Sequence, residues 1–187
     1  MAPIPRVAVL LAEGFEELEA IAVIDVLRRA SVDVTVAAVT GPGRTVVGSH
    51  RIAVTADALL ADLHAADLSM VVLPGGMPGS ANLAAHPAVL DLLRTVAAAG
   101  GFVAAICAAP IALHAAGLLA GRRVTCYPSF EQQLQGAVCT GNAVQRDGRL
   151  ITSRGPGTAL RFALELLRAL DRDAQAEQLR QGMLVEA

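Results

Sequence analysis

Two side chains stand out for their chemistry, the thiol of Cys107 and the carboxyl of Glu19. Cys107 lies in Ala105-Ile106-Cys107-Ala108-Ala109-Pro110, where a short apolar run meets a helical one. That pattern is a nucleophile elbow, a sharp strand-to-helix turn that strains the backbone of its central residue. The turn brings the residues two positions away into near contact, so they must be small. Here they are Ala105 and Ala109. Pro110 suits the first turn of the helix that follows, where a missing N–H costs nothing. A thiol at that helix start would feel the positive dipole end, which predicts a lowered pKa and a nucleophilic thiolate. The competing reading is a buried structural cysteine.

Glu13-Gly14-Phe15-Glu16-Glu17-Leu18-Glu19 places three carboxylates at the start of a helix. Glu16 and Glu17 read as charges that complement the helix dipole. Glu19 is rotated toward the sheet side, among apolar neighbours. A buried carboxyl beside a thiolate should keep its proton, because two adjacent anions are costly. It would then donate a hydrogen bond to the sulfur or carry a proton during a reaction. Val71-Val72-Leu73-Pro74-Gly75-Gly76 is a strand ending in two glycines. Its backbone amides would either serve as an oxyanion hole or merely form a tight turn. Ser153-Arg154-Gly155-Pro156-Gly157-Thr158 reads as a structural loop entering a helix, with Thr158 placed to cap it.

Short β-branched runs alternate with helical stretches and position these residues. Strands are expected at residues 6–12, 32–39, 68–73, 102–106, 123–126, 143–146 and 150–153, with Asp147-Gly148 as a hairpin turn. Residues 44–47 and 52–54 predict a hairpin outside the main sheet. Helical periodicity marks residues 16–30, 111–116, 158–170 and the C-terminal segment, with further helical stretches between Gly79 and Gly100. The order predicts an α/β fold over residues 1–187: one domain with a doubly wound, mostly parallel sheet of flavodoxin-like type sandwiched by helices. In such a sheet, sites form where loops leave the carboxyl ends of the strands, and all four unusual segments fall there.

The bulk composition agrees. Of 187 residues 54% are apolar, with four Phe, one Tyr and no Trp, so the core must be built from Ala, Val, Leu and Ile. The formal net charge of −2 and the scarcity of aromatics exclude a basic or stacking surface for nucleic acid. Charges and turn residues interrupt every apolar run before it reaches membrane-spanning length. Met1-Ala2-Pro3-Ile4-Pro5-Arg6 carries no signal-peptide pattern. The three cysteines, 107, 126 and 139, form no C-x-x-C pair and no even-numbered disulfide framework. Free thiols in a reducing cytoplasm are therefore expected. Cys126 reads as strand-end packing and Cys139 as a loop thiol open to secondary oxidation.

AEGFEELEA at residues 12–20, VVLPGG at 71–76, AAICAAP at 104–110 and TSRGPGTA at 152–159 occur in this order. Together they resemble the ThiJ/PfpI superfamily, in its Parkinsonism-associated deglycase branch (the DJ-one proteins), from Val7 to about Ala169. The resemblance implies a flavodoxin-like homodimer without metal or organic cofactor, acting on a small aldehyde-type substrate or responding to an oxidant. It implies that Cys107 is the easily oxidised elbow cysteine and Glu19 the protonated glutamate bonded to it. It also implies that Gly75, Gly76 and Ala108 line the pocket, and that Arg29 lies near a dimeric site. The family's activities include cofactor-free glyoxalase chemistry on methylglyoxal, protein deglycation and redox-linked, chaperone-like stress protection. Many glyoxalase-active relatives carry His where this chain has Tyr127. Neutral Tyr, with a reference pKa near ~10, is a poor general base. No histidine (50, 64, 86 or 114) falls on a motif position. Two readings result: an α-oxoaldehyde enzyme, or a redox sensor acting through Cys107 with little turnover.

Overall fold

The computed structural model describes residues 4–39, 41 and 43–186. Met1-Ala2-Pro3, read above for leader character, and Ala187 lie outside the described residues. In chain order the elements are β1 (Arg6–Leu11), α1 (Glu17–Arg29), β2 (Asp33–Ala38), β3 (Thr45–Val47), β4 (Ala53–Thr55), β5 (Ala58–Leu59) and β6 (Met70–Leu73). They continue with α2 (Gly79–Ala85), α3 (Pro87–Ala98), β7 (Phe102–Ile106), α4 (Pro110–Ala115), β8 (Arg123–Val124) and β9 (Val138–Cys139). The last four are β10 (Val144–Asp147), β11 (Leu150–Ser153), α5 (Ala159–Ala169) and α6 (Asp173–Gly182).

The main sheet has seven strands in the order β10-β11-β7-β6-β1-β2-β5. All pairs are parallel except the β10–β11 hairpin. The chain runs outward from β1 to β2 and then returns to β6 on the other side, so the topological switch falls between β1 and β6. Loops that leave β1 and β6 there diverge and open a crevice at the carboxyl ends.

Within the central strands every side chain but that of Arg6 is buried, and the period of two decides only which face each one serves. Val7, Val9 and Leu11 of β1 join Met70 and Val72 of β6 and Ala104 and Ile106 of β7 under α1 and α5. Ala8, Leu10, Val71, Leu73, Val103 and Ala105 face the opposite way, beneath α3 and α4. Small residues in the strands let the helices approach closely. The bulk on the α1 and α5 face comes from Phe15, Leu27, Phe162 and Leu166.

Two features differ from the sequence expectations. The strand expected over residues 123–126 is only the two-residue β8, and it pairs in parallel with β9 in a separate sheet. Thr125 leaves that ladder because its N–H donates instead to Thr152 Oγ1, 2.8 Å away. The two-residue edge strand β5 was not expected. The β3–β4 hairpin does stand apart from the main sheet, as read from its turn. Among the described residues no helix is long and apolar enough to cross a membrane.

Phe162 is wholly buried where α5 packs on α1, whereas Leu160 one turn-face away is exposed. Phe162→Ala should cost about 3–5 kcal/mol in urea denaturation, the range for deleting a buried aromatic ring. Leu160→Ala should cost less than about 1 kcal/mol.

Candidate functional site

The site is assembled from four strand ends. At the end of β7 the backbone of Cys107 turns into the left-handed region, with φ of 64°. A residue with a Cβ pays for that conformation in steric strain, so the surroundings must hold it. They do so through both of its peptide groups. The Cys107 N–H donates to Ser153 O of β11 at 3.0 Å, and its carbonyl accepts from the Tyr127 N–H at 2.9 Å. Ala105 and Ala109 are fully buried against the turn, and Pro110 occupies the first position of α4.

Glu19 reaches the same point from the first turn of α1 and is wholly excluded from solvent. Its Oε2 accepts from the Gly75 N–H at 2.7 Å, and its carboxyl hydrogen-bonds with the Cys107 thiol. Oε1 has no partner of ordinary hydrogen-bond geometry. Gly75 can have no side chain here, since a Cβ would stand 2.5 Å from Glu19 Oε2 and 2.6 Å from Cys107 Cβ. Gly76 turns with φ of 87°, and its N–H and that of Ala108 are directed at the Cys107 sulfur. The two adjacent glycine amides thus serve different partners, Gly75 the carboxyl and Gly76 the thiol.

Burial pushes the Glu19 carboxyl up to about 7, against the Gly75 and Cys107 hydrogen bonds that favour its charge. Burial, followed by the charge and hydrogen bond of Glu19, pushes the Cys107 thiol up to about 12, while the Ala108 and Gly76 amides lower it. These two groups titrate as a pair that gives up its first proton near pH 7 and keeps the second well above it. The expectation that a helix start lowers the thiol's pKa is corrected. α4 has only six residues and begins three positions beyond Cys107. Dehydration and the facing carboxylate outweigh its dipole. A thiolate is available at neutral pH only when Glu19 holds the proton.

Glu16 and Glu17 are not surface charges. Glu16 caps α1 by accepting from the Glu19 N–H at 2.8 Å. Glu17 is buried and accepts from the His50 N–H at 2.7 Å, from His50 Nδ1 at 2.9 Å, and from Ser49 Oγ and the Ile52 N–H. Burial opposes its ionisation, but the His50 hydrogen bonds outweigh it and hold the carboxyl below its ordinary range. The same bond raises exposed His50. Glu16, Glu17 and His50 bring their ligand atoms within 4.8 Å of one another. Both Glu17 oxygens are already engaged, so the cluster reads as a brace between α1 and the β3–β4 hairpin. Sequence reasoning missed this pairing because His50 lies 33 residues from Glu17 and on no motif.

Tyr127 is half-exposed, its ring against Gly155 and its backbone N–H on the Cys107 carbonyl. Arg29 lies ten residues beyond Glu19 along α1, about 15 Å away by helix rise, and pairs with Asp25 at 2.7 Å. The structure therefore brings together Cys107, Glu19, Gly75, Gly76, Ala108 and Tyr127, but not Arg29. Thr158 bonds Ser153 and Gly155 rather than capping α5, making the loop after β11 structural.

Glu19 binds its proton more tightly in the folded chain than at its ordinary value of 4.5. Its contribution to stability is thus fully present below about 4.5 and is lost as pH rises toward about 7. Glu19→Gln removes this titration. Between pH 4.5 and 7.5 the unmodified protein should lose about 3 kcal/mol relative to that variant, measured by urea denaturation across pH.

The DJ-1/PfpI family pattern matches residues 5–169. "Protein dj-1beta" of Drosophila melanogaster is 42% identical over 179 residues, 95% of each chain. Its crystal structure superposes with a TM-score of 0.92 over 99% of this chain and 100% of that one. "Glutathione-independent glyoxalase DJR-1.2" of Caenorhabditis elegans is 36% identical over 162 residues, covering 85% of this chain and 84% of its own. The structure "Toxoplasma gondii DJ-1, oxidized" is 34% identical with a TM-score of 0.93, covering 98% of this chain and 100% of that one. With the elbow, the glycine turn and the buried glutamate all in one crevice, this chain belongs to the DJ-1/PfpI family.

Proposed function

We propose that this protein is a cofactor-independent, cysteine-centred stress enzyme acting on small α-oxoaldehydes or their adducts, in the manner of a glyoxalase. One observation carries the reading: the Cys107 thiol, the buried Glu19 carboxyl and the Gly76 and Ala108 amides converge at one point. The C. elegans relative's name as a glutathione-independent glyoxalase supports it.

In the reacting state Glu19 holds the pair's proton on its unpartnered Oε1 and Cys107 is the thiolate. The sulfur attacks the aldehyde carbon of the 2-oxoaldehyde, a C–S bond forms and the carbonyl π-electrons move to oxygen. The Gly76 and Ala108 amides, which had faced the sulfur's charge, now face the new oxyanion. Glu19 gives its proton to that oxygen and becomes a carboxylate. It then removes the hydrogen from the former aldehyde carbon as a proton, giving an enediol, and returns it to the neighbouring carbon, while the hydroxyl proton of the first carbon passes to the neighbouring oxygen, leaving a thioester and a secondary alcohol. Water cleaves the thioester to release the 2-hydroxy acid and restore the thiol. The sum is oxoaldehyde plus water giving hydroxy acid, with no external oxidant or reductant. Tyr127 contributes at most a rim hydrogen bond.

A second reading is favoured by Tyr127 standing where a base would help, and by the oxidized state named for the Toxoplasma relative. In it Cys107 is a sensor whose oxidation to sulfenic and sulfinic acid is the functional event. Both readings belong to a cytoplasmic homodimer, with Arg29 near the shared face.

Purified protein should convert methylglyoxal to lactate, and Cys107→Ser should abolish this. Glu19→Gln keeps a donor for the thiolate but cannot move a proton. It should alkylate at Cys107 within about three-fold of the unmodified rate at pH 7, yet lose turnover by about 100-fold. Lack of turnover in the unmodified protein, with selective sulfinic acid formation at Cys107 under mild peroxide, decides for the sensor.

A further inference from the structure

The other two cysteines lie outside this chemistry, and the fold places them together. β8 and β9 pair in parallel with Val124 directly opposite Cys139. Thr140 fastens that register, its N–H and Oγ1 both donating to Val124 O at 2.8 and 3.2 Å. Cys126 follows two residues beyond Val124, just past the end of β8. The Cys126 and Cys139 thiols hydrogen-bond to one another there. Neither cysteine is in a disulfide.

Their surroundings are unequal. Cys139 is exposed at the end of β9, while Cys126 is 3% exposed beneath it. Burial pushes both thiols up, and the nearby Glu131 carboxylate adds to this. Their shared hydrogen bond then acts in opposite senses, raising Cys126 and lowering Cys139. An accessible thiol touching a protected one is the arrangement of an attacking and a resolving cysteine.

We propose that Cys126 and Cys139 form a redox-active dithiol that closes into an intramolecular disulfide under oxidation, independently of Cys107. With a hydroperoxide as oxidant, the Cys139 thiolate attacks one peroxide oxygen and the O–O bond breaks. Water or an alcohol leaves, and the sulfur becomes a sulfenic acid. The Cys126 sulfur attacks that sulfur, the S–S bond forms, the S–O bond breaks, and hydroxide departs as water with the Cys126 proton. Two thiols lose two electrons, and one peroxide gains them. A second dithiol or thiol pool reverses the step by exchange. The bond would tie β9 to the segment carrying Tyr127, whose N–H holds the Cys107 carbonyl.

This proposal is separable from the reading of Cys107. Cleavage after arginine leaves both cysteines of the pair on one peptide, residues 124–146, and Cys107 on another, residues 95–122. Dilute protein treated with diamide, which accepts two electrons and two protons from a thiol pair, should lose two of its three free thiols when counted after denaturation. The peptide 124–146 should be two hydrogens lighter and resist alkylation until reduced. Cys107→Ser should leave that crosslink intact, and Cys139→Ser, at an exposed position, should abolish it. Full alkylation of both cysteines after diamide would overturn the proposal. So would a disulfide to Cys107, or crosslinks between chains that grow with protein concentration.

Discussion

The carboxyl of Glu19 is the constraint on which the site depends. It sits in a position closed to water, holds the Gly75 amide through one oxygen and faces the Cys107 thiol. A carboxylate there is costly, so the group holds its proton up to about 7, and the dehydrated thiol that faces it is pushed up further, to about 12. One buried group thereby joins the start of α1, the turn after β6 and the elbow after β7. Its volume also dictates its neighbours, because any side chain at position 75 would collide with it.

The sheet makes that meeting possible. Parallel strands deliver all their outgoing loops to one edge, and the switch between β1 and β6 separates two of those loops enough to leave a crevice. The strained turn at Cys107 is held by hydrogen bonds from β11 and from Tyr127, two segments distant in sequence. Strain at Cys107 is thus offset by the rigid frame rather than by the elbow itself. Beside it, buried Glu17 and exposed His50 fasten the β3–β4 hairpin onto α1, so the helix that carries Glu19 is braced at its first turn.

How much was legible varies with the range of the interaction. The strand over residues 102–106 and the strand over 150–153 matched to the residue, because each is a short β-branched or apolar run bounded by turn residues. Glu19 was legible from helical phase, since the residue that points at the sheet follows from the 3.6-residue period. Glu16 and Glu17 do stand at the start of α1 as read, but the burial of Glu17 was not legible because it depends on His50, 33 residues later. The segment at residues 123–126 has strand composition, but Thr152 captures the Thr125 amide and ends the ladder. Cys126 and Cys139 read as isolated thiols because only the β8–β9 register brings them face to face.

The sequence by itself determined the layered α/β architecture, the elbow at Cys107, the glycine turn and Glu19 as its acidic partner. Those features rest on local periodicity and on residue size at fixed short spacings. The protonation state of the pair was decided only by the tertiary structure. It depends on dehydration and on amides from Gly75, Gly76 and Ala108, which approach from separate strands. A dipole argument drawn from one short helix pointed to a lowered thiol, and the packed site reversed it. Local chemistry names the reactive groups, but their charge is a property of everything that excludes water around them.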